Sequence, residues 1–207
     1  MESGTDPRRK SGRPLSFDRD DVLEKAMLMF WRHGYETTPI SDLTRAMGIT
    51  APSLYAAFGD KKHLFLEAVR RYAGDPDVMD TAIDAAPTAF EAARSILSGA
   101  AATFTGADTP PGCLLASATA SGSAASADVQ AEVARYRRRL RDGLKARIER
   151  DIADGLIDAR ADASALADLA VAVMQGLSVM ARDGAGREAL QSVVDASMRA
   201  WPAAPGD

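Results

Sequence analysis

Apolar residues between Phe17 and Tyr72 recur every three or four positions in four short blocks, each ended by a glycine or a capping residue. The first block predicts a helix from Asp18 or Arg19 to His33 with Val22, Leu23, Ala26, Met27 and Phe30 as its buried stripe. Asp18 suits its N-terminus, Asp20 and Asp21 its positive end, and Gly34 stops it. A second helix is expected over Pro39 to Met47, capped by Thr38 and turned by Gly48. A third covers Ala51 to Phe58, capped by Thr50, with Pro52 tolerated in its first turn. A fourth starts near Asp60 and buries Leu64, Phe65, Ala68, Val69 and Tyr72. Helix, glycine turn, short helix, glycine turn and helix is the order that presents one small helix to a DNA groove.

Gly74, Asp75, Pro76 and Asp77 interrupt the pattern, and Pro87 closes a stretch read as weakly structured; the domain boundary is placed here. Beyond it the periodicity predicts a helix from Thr88 to Phe104, a loop from Gly106 to Pro111, and a short helix from Gly112 to about Ala120. Residues 121–127 read as a loop or frayed end. Three longer helices follow: Asp128 to Asp154, Asp162 to Arg182 and Gly186 to Trp201. The division is a flexible basic arm at 1–16, a helix-turn-helix domain at 17–73, a helical domain at 74–201 and a tail at 202–207. The fold class is all-α.

Composition supports that class, since alanine, leucine and arginine dominate and 46% of residues are apolar. No run reaches the roughly 18 consecutive apolar residues of a membrane span, and with a single cysteine, Cys113, a cytoplasmic protein is expected. The net charge of −4 is unevenly divided: residues 1–72 carry 12 Lys/Arg against 10 Asp/Glu, residues 73–207 carry 13 against 19. A mildly basic front and an acidic remainder fit a DNA reader joined to a domain that faces away from DNA. The only histidines, His33 and His63, fall in the expected reader, so neither a metal cluster nor a Ser-His-Asp triad has the residues it needs; no enzyme activity, metal or cofactor is expected. Arg135, Arg137, Arg138, Arg139 and Arg141 wrap around their helix rather than lining one side, and read as a salt-bridged surface.

The stretch from Phe17 to Tyr72 resembles the DNA-binding domain of the TetR family of bacterial transcription regulators. The resemblance rests on Phe30, Gly34-Tyr35, Thr38, the Leu43 to Ile49 segment, Leu54-Tyr55 and Phe58-x-x-Lys61-x-x-Leu64, with Thr44 as one departure. Pro111-Gly112-Cys113-Leu114-Leu115, and Gln175-Gly176-Leu177 to Asp183-Gly184, are similar to one subgroup of that family.

The resemblance implies an N-terminal three-helix reader, a C-terminal ligand-binding and dimerisation domain, and a homodimer on a palindromic, double-stranded operator. It would be a repressor released by a small effector. The third helix would enter the major groove with Thr50, Ala51, Pro52, Ser53 and Tyr55. Tyr55, Lys61 and Thr38 would meet phosphates, and Ser41 and Arg45 would add contacts from the second helix. From Thr50 to Phe58 no Arg, Lys, Asn or Gln is present, so direct base reading is modest and DNA shape carries a share of the specificity. Arg13, in Gly12-Arg13-Pro14, is either a minor-groove contact or part of a solvated basic tail.

Effector-lining residues by the same resemblance are Phe90, Leu97, Phe104, Cys113, Leu114, Leu115, Tyr136, Met174, Gln175 and Ser178, which favour an apolar or aromatic molecule. Leu166, Leu169, Val173, Leu177, Leu190, Val194 and Trp201 are the expected dimer residues, with part of each stripe facing the protomer's own core. Two alternatives stay open: a repressor that senses oxidants or electrophiles through Cys113, and a helical dimeric interaction protein without specific DNA binding.

Overall fold

Side-chain caps set most helix starts in the computed structural model, which describes residues 17–118 and 126–202. Helix α1 (Arg19–His33) begins where the Asp18 carboxylate accepts the N–H groups of Asp20 and Asp21, and ends at Gly34, whose φ of 86° only glycine takes readily. Helix α2 (Ile40–Met47) starts one residue later than expected, with Pro39 at the capping position and no side-chain cap. Thr38 is not that cap. Its hydroxyl is buried and donates to the Gly34 carbonyl at 2.6 Å, fastening the α1–α2 turn. Gly48, in the left-handed region at φ 70°, turns the chain into α3 (Ala51–Phe58), where Thr50 accepts from Ser53 N–H as its sequence position implies. Asp60 caps α4 (Lys61–Ala73) through His63 N–H.

The stretch expected to be weakly structured is a helix, α5 (Pro76–Ala85). Asp75 caps it and Pro76 occupies its first turn, where a missing N–H costs nothing, so residues that read as breakers are its start signal. Its connection to α6 (Ala89–Phe104) is held from below by a buried ion pair on a later helix. Arg147 pairs with Asp151 at 2.9 Å and also donates to the carbonyls of Asp84, Ala86 and Pro87, while Asp151 accepts Ala89 N–H at 2.6 Å.

Helix α7 (Leu114–Ser117) is one turn long, shorter than its pattern suggested. The long helices are α8 (Ala127–Ala153), α9 (Ala163–Arg182) and α10 (Arg187–Met198), the last ending before Trp201. By length and composition α9 is apolar enough to cross a membrane, although no unbroken apolar run marks it, and only 28% of the qualifying stretch is buried in the protomer.

Two cores result. One is built by α6, α8, α9 and α10 around Leu97, Leu144, Ile148, Leu177, Leu190 and Val194. The other gathers Phe30, Leu43, Leu54, Leu64 and Phe65 from α1 to α4, and is completed by Leu114, Ala118, Val129 and Val133 from beyond residue 74. The reader and the helical domain therefore share packing.

Candidate DNA-binding interface and effector cavity

Leu54 and Phe58 bury one side of α3, which leaves Pro52, Tyr55 and Ala56 outward and Ser53 half-exposed. Tyr55 is 48% exposed, an unusually open position for a large aromatic side chain. Thr50 and Ser53 share a hydroxyl contact of 2.9 Å at the helix entrance. Ser41 and Arg45 are exposed on α2, and the Arg45 guanidinium pairs with Asp42 at 3.2 Å.

Lys61 opens α4. Its ammonium lies 4.6 Å from the centroid of the Tyr35 ring and donates to the Glu36 carbonyl at 3.4 Å. Burial holds its pKa below the ordinary lysine value, opposed by the charge of Glu36. The next residue, Lys62, points elsewhere, to Asp128 at the start of α8 at 2.6 Å, and that contact raises its pKa. Pro52, Tyr55 and Ala56 thus face outward on α3 with Ala51 and Ser53 half-buried, while Ser41 and Arg45 are exposed on α2. Thr38 does not join them, because its hydroxyl is spent inside the α1–α2 turn. Arg13 lies outside the described residues.

Behind the reader, α4, α5, α6, α8 and α9 line a solvent-open cavity of about 480 Å3, within the size range of small-molecule sites. Of the residues expected to line it, Phe104, Cys113, Leu115, Tyr136 and Met174 do so. Leu97 and Ser178 belong to the interior packing, Leu114 to the reader's core, and Phe90 is exposed beside Trp201, with Gln175 outside the lining. The remaining wall includes Tyr72, Met79, Asp80, Ile96, Arg139 and Leu140. Met79 and Asp80 went unread because α5 was not recognised; Tyr72 was read as core alone. A second space of about 340 Å3 shares Ala82, Ser95 and Ile96 with the first.

The cavity's polar groups are largely neutralised in place. Arg139 is bound to Asp77 and Asp80 of α5, and the Tyr72 hydroxyl reaches Cys113 Sγ at 3.5 Å. Burial, reinforced by the thiol, keeps the Tyr72 hydroxyl protonated well beyond the ordinary tyrosine range. Of the neighbouring arginines, Arg135 pairs with Glu132 and Arg141 with Asp168 and Asp142, giving the salt-bridged face expected.

On α9, Leu169 and Val179 are exposed and Leu166 and Val173 half-buried. Leu177, Leu190, Val194 and Trp201 were expected at the twofold interface, but the protomer's own core covers them. Which side of an apolar stripe turns inward depends on the neighbouring helices, which periodicity does not encode.

A helix-turn-helix reader packed onto a helical domain with an open cavity between them defines a DNA-binding transcription regulator. Residues 22–68 match the family model described as bacterial regulatory proteins, tetR family, and residues 89–197 the one described as tetracyclin repressor-like, C-terminal domain. The chain is similar to the HTH-type transcriptional repressor ComR of Escherichia coli (strain K12), with 35% identity over 201 residues and 94% of each chain covered. It is also similar to a cysteine mutant of the TetR family transcriptional regulator CifR complexed with 26-base-pair operator DNA. That likeness has a TM-score of 0.85, 41% identity, and covers 92% of this chain and 100% of that one. A putative TetR regulator from Rhodococcus sp. RHA1 is similar at 38% identity and a TM-score of 0.62, covering 90% and 100%. The chain belongs to the TetR family of bacterial transcription regulators.

Proposed function

We propose that the chain is a homodimeric repressor that leaves a pseudo-palindromic operator when a small, uncharged, apolar or aromatic effector enters the α4–α9 cavity. The observation that carries this reading is the pairing of an outward α3 face, with Tyr55 half-exposed, to a cavity whose wall includes Tyr72 of that reader's last helix. ComR is named a repressor and the CifR complex holds operator DNA, which supports the same role for this chain. An uncharged effector is favoured because Arg139, the cationic group on the wall, is occupied by Asp77 and Asp80. Its place of action would be the bacterial chromosome in the cytoplasm.

Ser53, Thr50 and methyl contacts from Ala51 and Pro52 would read bases, with Tyr55 and Lys61 on phosphates and Arg45 and Ser41 flanking. A salt-dependent gel shift against DNA upstream of its own gene tests the reading. Binding no tighter than to random DNA at moderate salt would instead favour a helical interaction protein. Tyr55→Phe and Lys61→Ala should weaken all sequences alike, and deletion of residues 1–15 should flatten the salt slope.

Cys113 supports a narrower alternative, since it stands on the cavity wall against Tyr72 while only 5% exposed. A Cys113→Ser protein whose response to oxidants matches the wild type eliminates a thiol sensor.

A further inference from the structure

The segment from Gly112 to Ser117 is clamped between two helices that belong to different parts of the molecule. On one side is the last turn of α1. The Trp31 indole N–H donates to the Gly112 carbonyl at 2.9 Å, the Ser117 hydroxyl stands between the Trp31 carbonyl at 3.0 Å and the Cys113 carbonyl at 2.9 Å as its two acceptors, and the Trp31 ring meets the Tyr72 ring edge-on at 4.7 Å. On the other side is α9. The Ser178 hydroxyl accepts Cys113 N–H at 2.9 Å, and the Arg182 guanidinium donates to both the Ser117 hydroxyl and the Trp31 carbonyl, the latter at 3.3 Å.

The clamp is close-fitting at both ends. A Cβ on Gly34 would stand 3.0 Å from the Ser117 carbonyl oxygen, and one on Gly112 would stand 2.8 Å from the Ser178 carbonyl oxygen. Both glycines also have positive φ, so neither position offers slack to a substitution. Packing this tight transmits displacement rather than absorbing it. Cys113 and Leu115, inside the clamped segment, are cavity wall, and so is Tyr72, on which Trp31 rests.

We infer that Arg182, acting through Ser117 and the Trp31 carbonyl, is a positioning residue for operator binding that ties the angle of α1 to the cavity wall and to α9. An occupant that pushes Cys113 or Leu115 then moves the reader at its α1 end, in addition to any push on α4. Arg182 is not on the cavity wall; its effect is on the geometry with which the two readers of a dimer meet their half-sites. The inference rests on the cavity being the effector site and the chain being an operator binder.

Two tryptophans are present, so Trp201→Phe, which retains a ring against Phe90, leaves Trp31 as a reporter within the clamp. Gly99 lies on the exposed side of the cavity wall, where a Cβ meets nothing within 4 Å, so Gly99→Phe adds a ring at the cavity mouth without a clash and Gly99→Ala controls for helix propensity. In the full-length Trp201→Phe protein, Gly99→Phe should shift Trp31 emission and weaken operator binding about tenfold, a typical size for coupling between sites. With Arg182→Ala added, Gly99→Phe should change affinity no more than about twofold, and Arg182→Lys, which keeps a donor, should restore part of the response. Equal weakening with and without Arg182, no weakening in either, or an unmoved Trp31 emission overturns the inference. If no variant prefers upstream DNA to random DNA, the proposed function fails, while Trp31 emission with and without Arg182 still decides whether the clamp senses the cavity.

Discussion

Arg19 stacks on Phe58. Its guanidinium carbon stands 4.5 Å from the ring centroid, and the same group donates to both carboxylate oxygens of Glu67 at 2.8 and 2.7 Å. The first residue of α1 is thereby fixed to the last residue of α3 and to the middle of α4.

Arg19→Ala should lower stability by about 1 kcal/mol, since a part-exposed cation–ring contact and ion pair each contribute a fraction of that. Arg19→Lys should recover only part, because an ammonium can still pair with Glu67 but offers no flat face to stack on Phe58. Thermal unfolding measures the first effect. Gel shift should show operator binding reduced several-fold for both variants, and unchanged binding in either would separate Arg19 from the placement of α3.

The buried pair beneath the α5–α6 turn should behave differently from the surface pairs. Arg147 and Asp151 are 8% and 2% exposed, so Asp151→Ala strands a guanidinium inside the protein at a cost of about 3–5 kcal/mol. Replacing both with Met and Leu should not restore stability, because the carbonyls of Asp84, Ala86 and Pro87 lose their donor. Chemical denaturation of the three proteins tests this. The exposed Arg150–Asp84 pair, cut in the same way, should cost less than about 1 kcal/mol.

Acid should remove the α4 cap. Accepting His63 N–H holds the Asp60 carboxyl below its ordinary 3.8, so the unfolded chain takes up the proton more readily. The cap's contribution is therefore whole above pH 4 to 5 and is lost as pH falls through the lowered value. Asp60→Ala should be about 1 kcal/mol less stable at pH 7, with that gap constant to about pH 5 and closing below pH 4. Parallel stability curves for the two proteins down to pH 2 would remove Asp60 from this role.

The uncovered side of α9 should carry the dimer. Leu169 and Val179, 36% and 56% exposed, take no part in the protomer core, so charging both should leave the fold intact. Leu169→Asp with Val179→Asp should raise the dimer dissociation constant by at least on the order of a hundredfold, as two unpaired charges resist burial. Sedimentation at micromolar concentration reads the outcome; an intact dimer would place the interface elsewhere.

The reader was legible in the sequence because its boundaries are written in local chemistry. Asp18, Thr50 and Asp60 cap the helices they precede, and Gly34, Gly48 and Gly59 turn the chain after α1, α2 and α3. Thr38 misled for a physical reason: a threonine before a helix has two backbone partners within reach, and here the carbonyl behind it took the hydroxyl. α5 was missed because only Ile83 is buried along it, too little to make a stripe, while its Asp-Pro start resembles a turn. The cavity and the dimer face depended on which side of each helix meets a neighbour, so Phe104 and Met174 line the cavity while Leu114 and Leu177 pack into the two cores.

Leu114, Ala118, Val129 and Val133 fill the reader's core from outside residues 17–73. Recombining that segment with a foreign regulatory half would consequently transplant an unfinished interior. Partners suited to such an exchange would have to bring apolar side chains of matching size at those four places, which restricts how freely a lineage can shuffle its front and back halves.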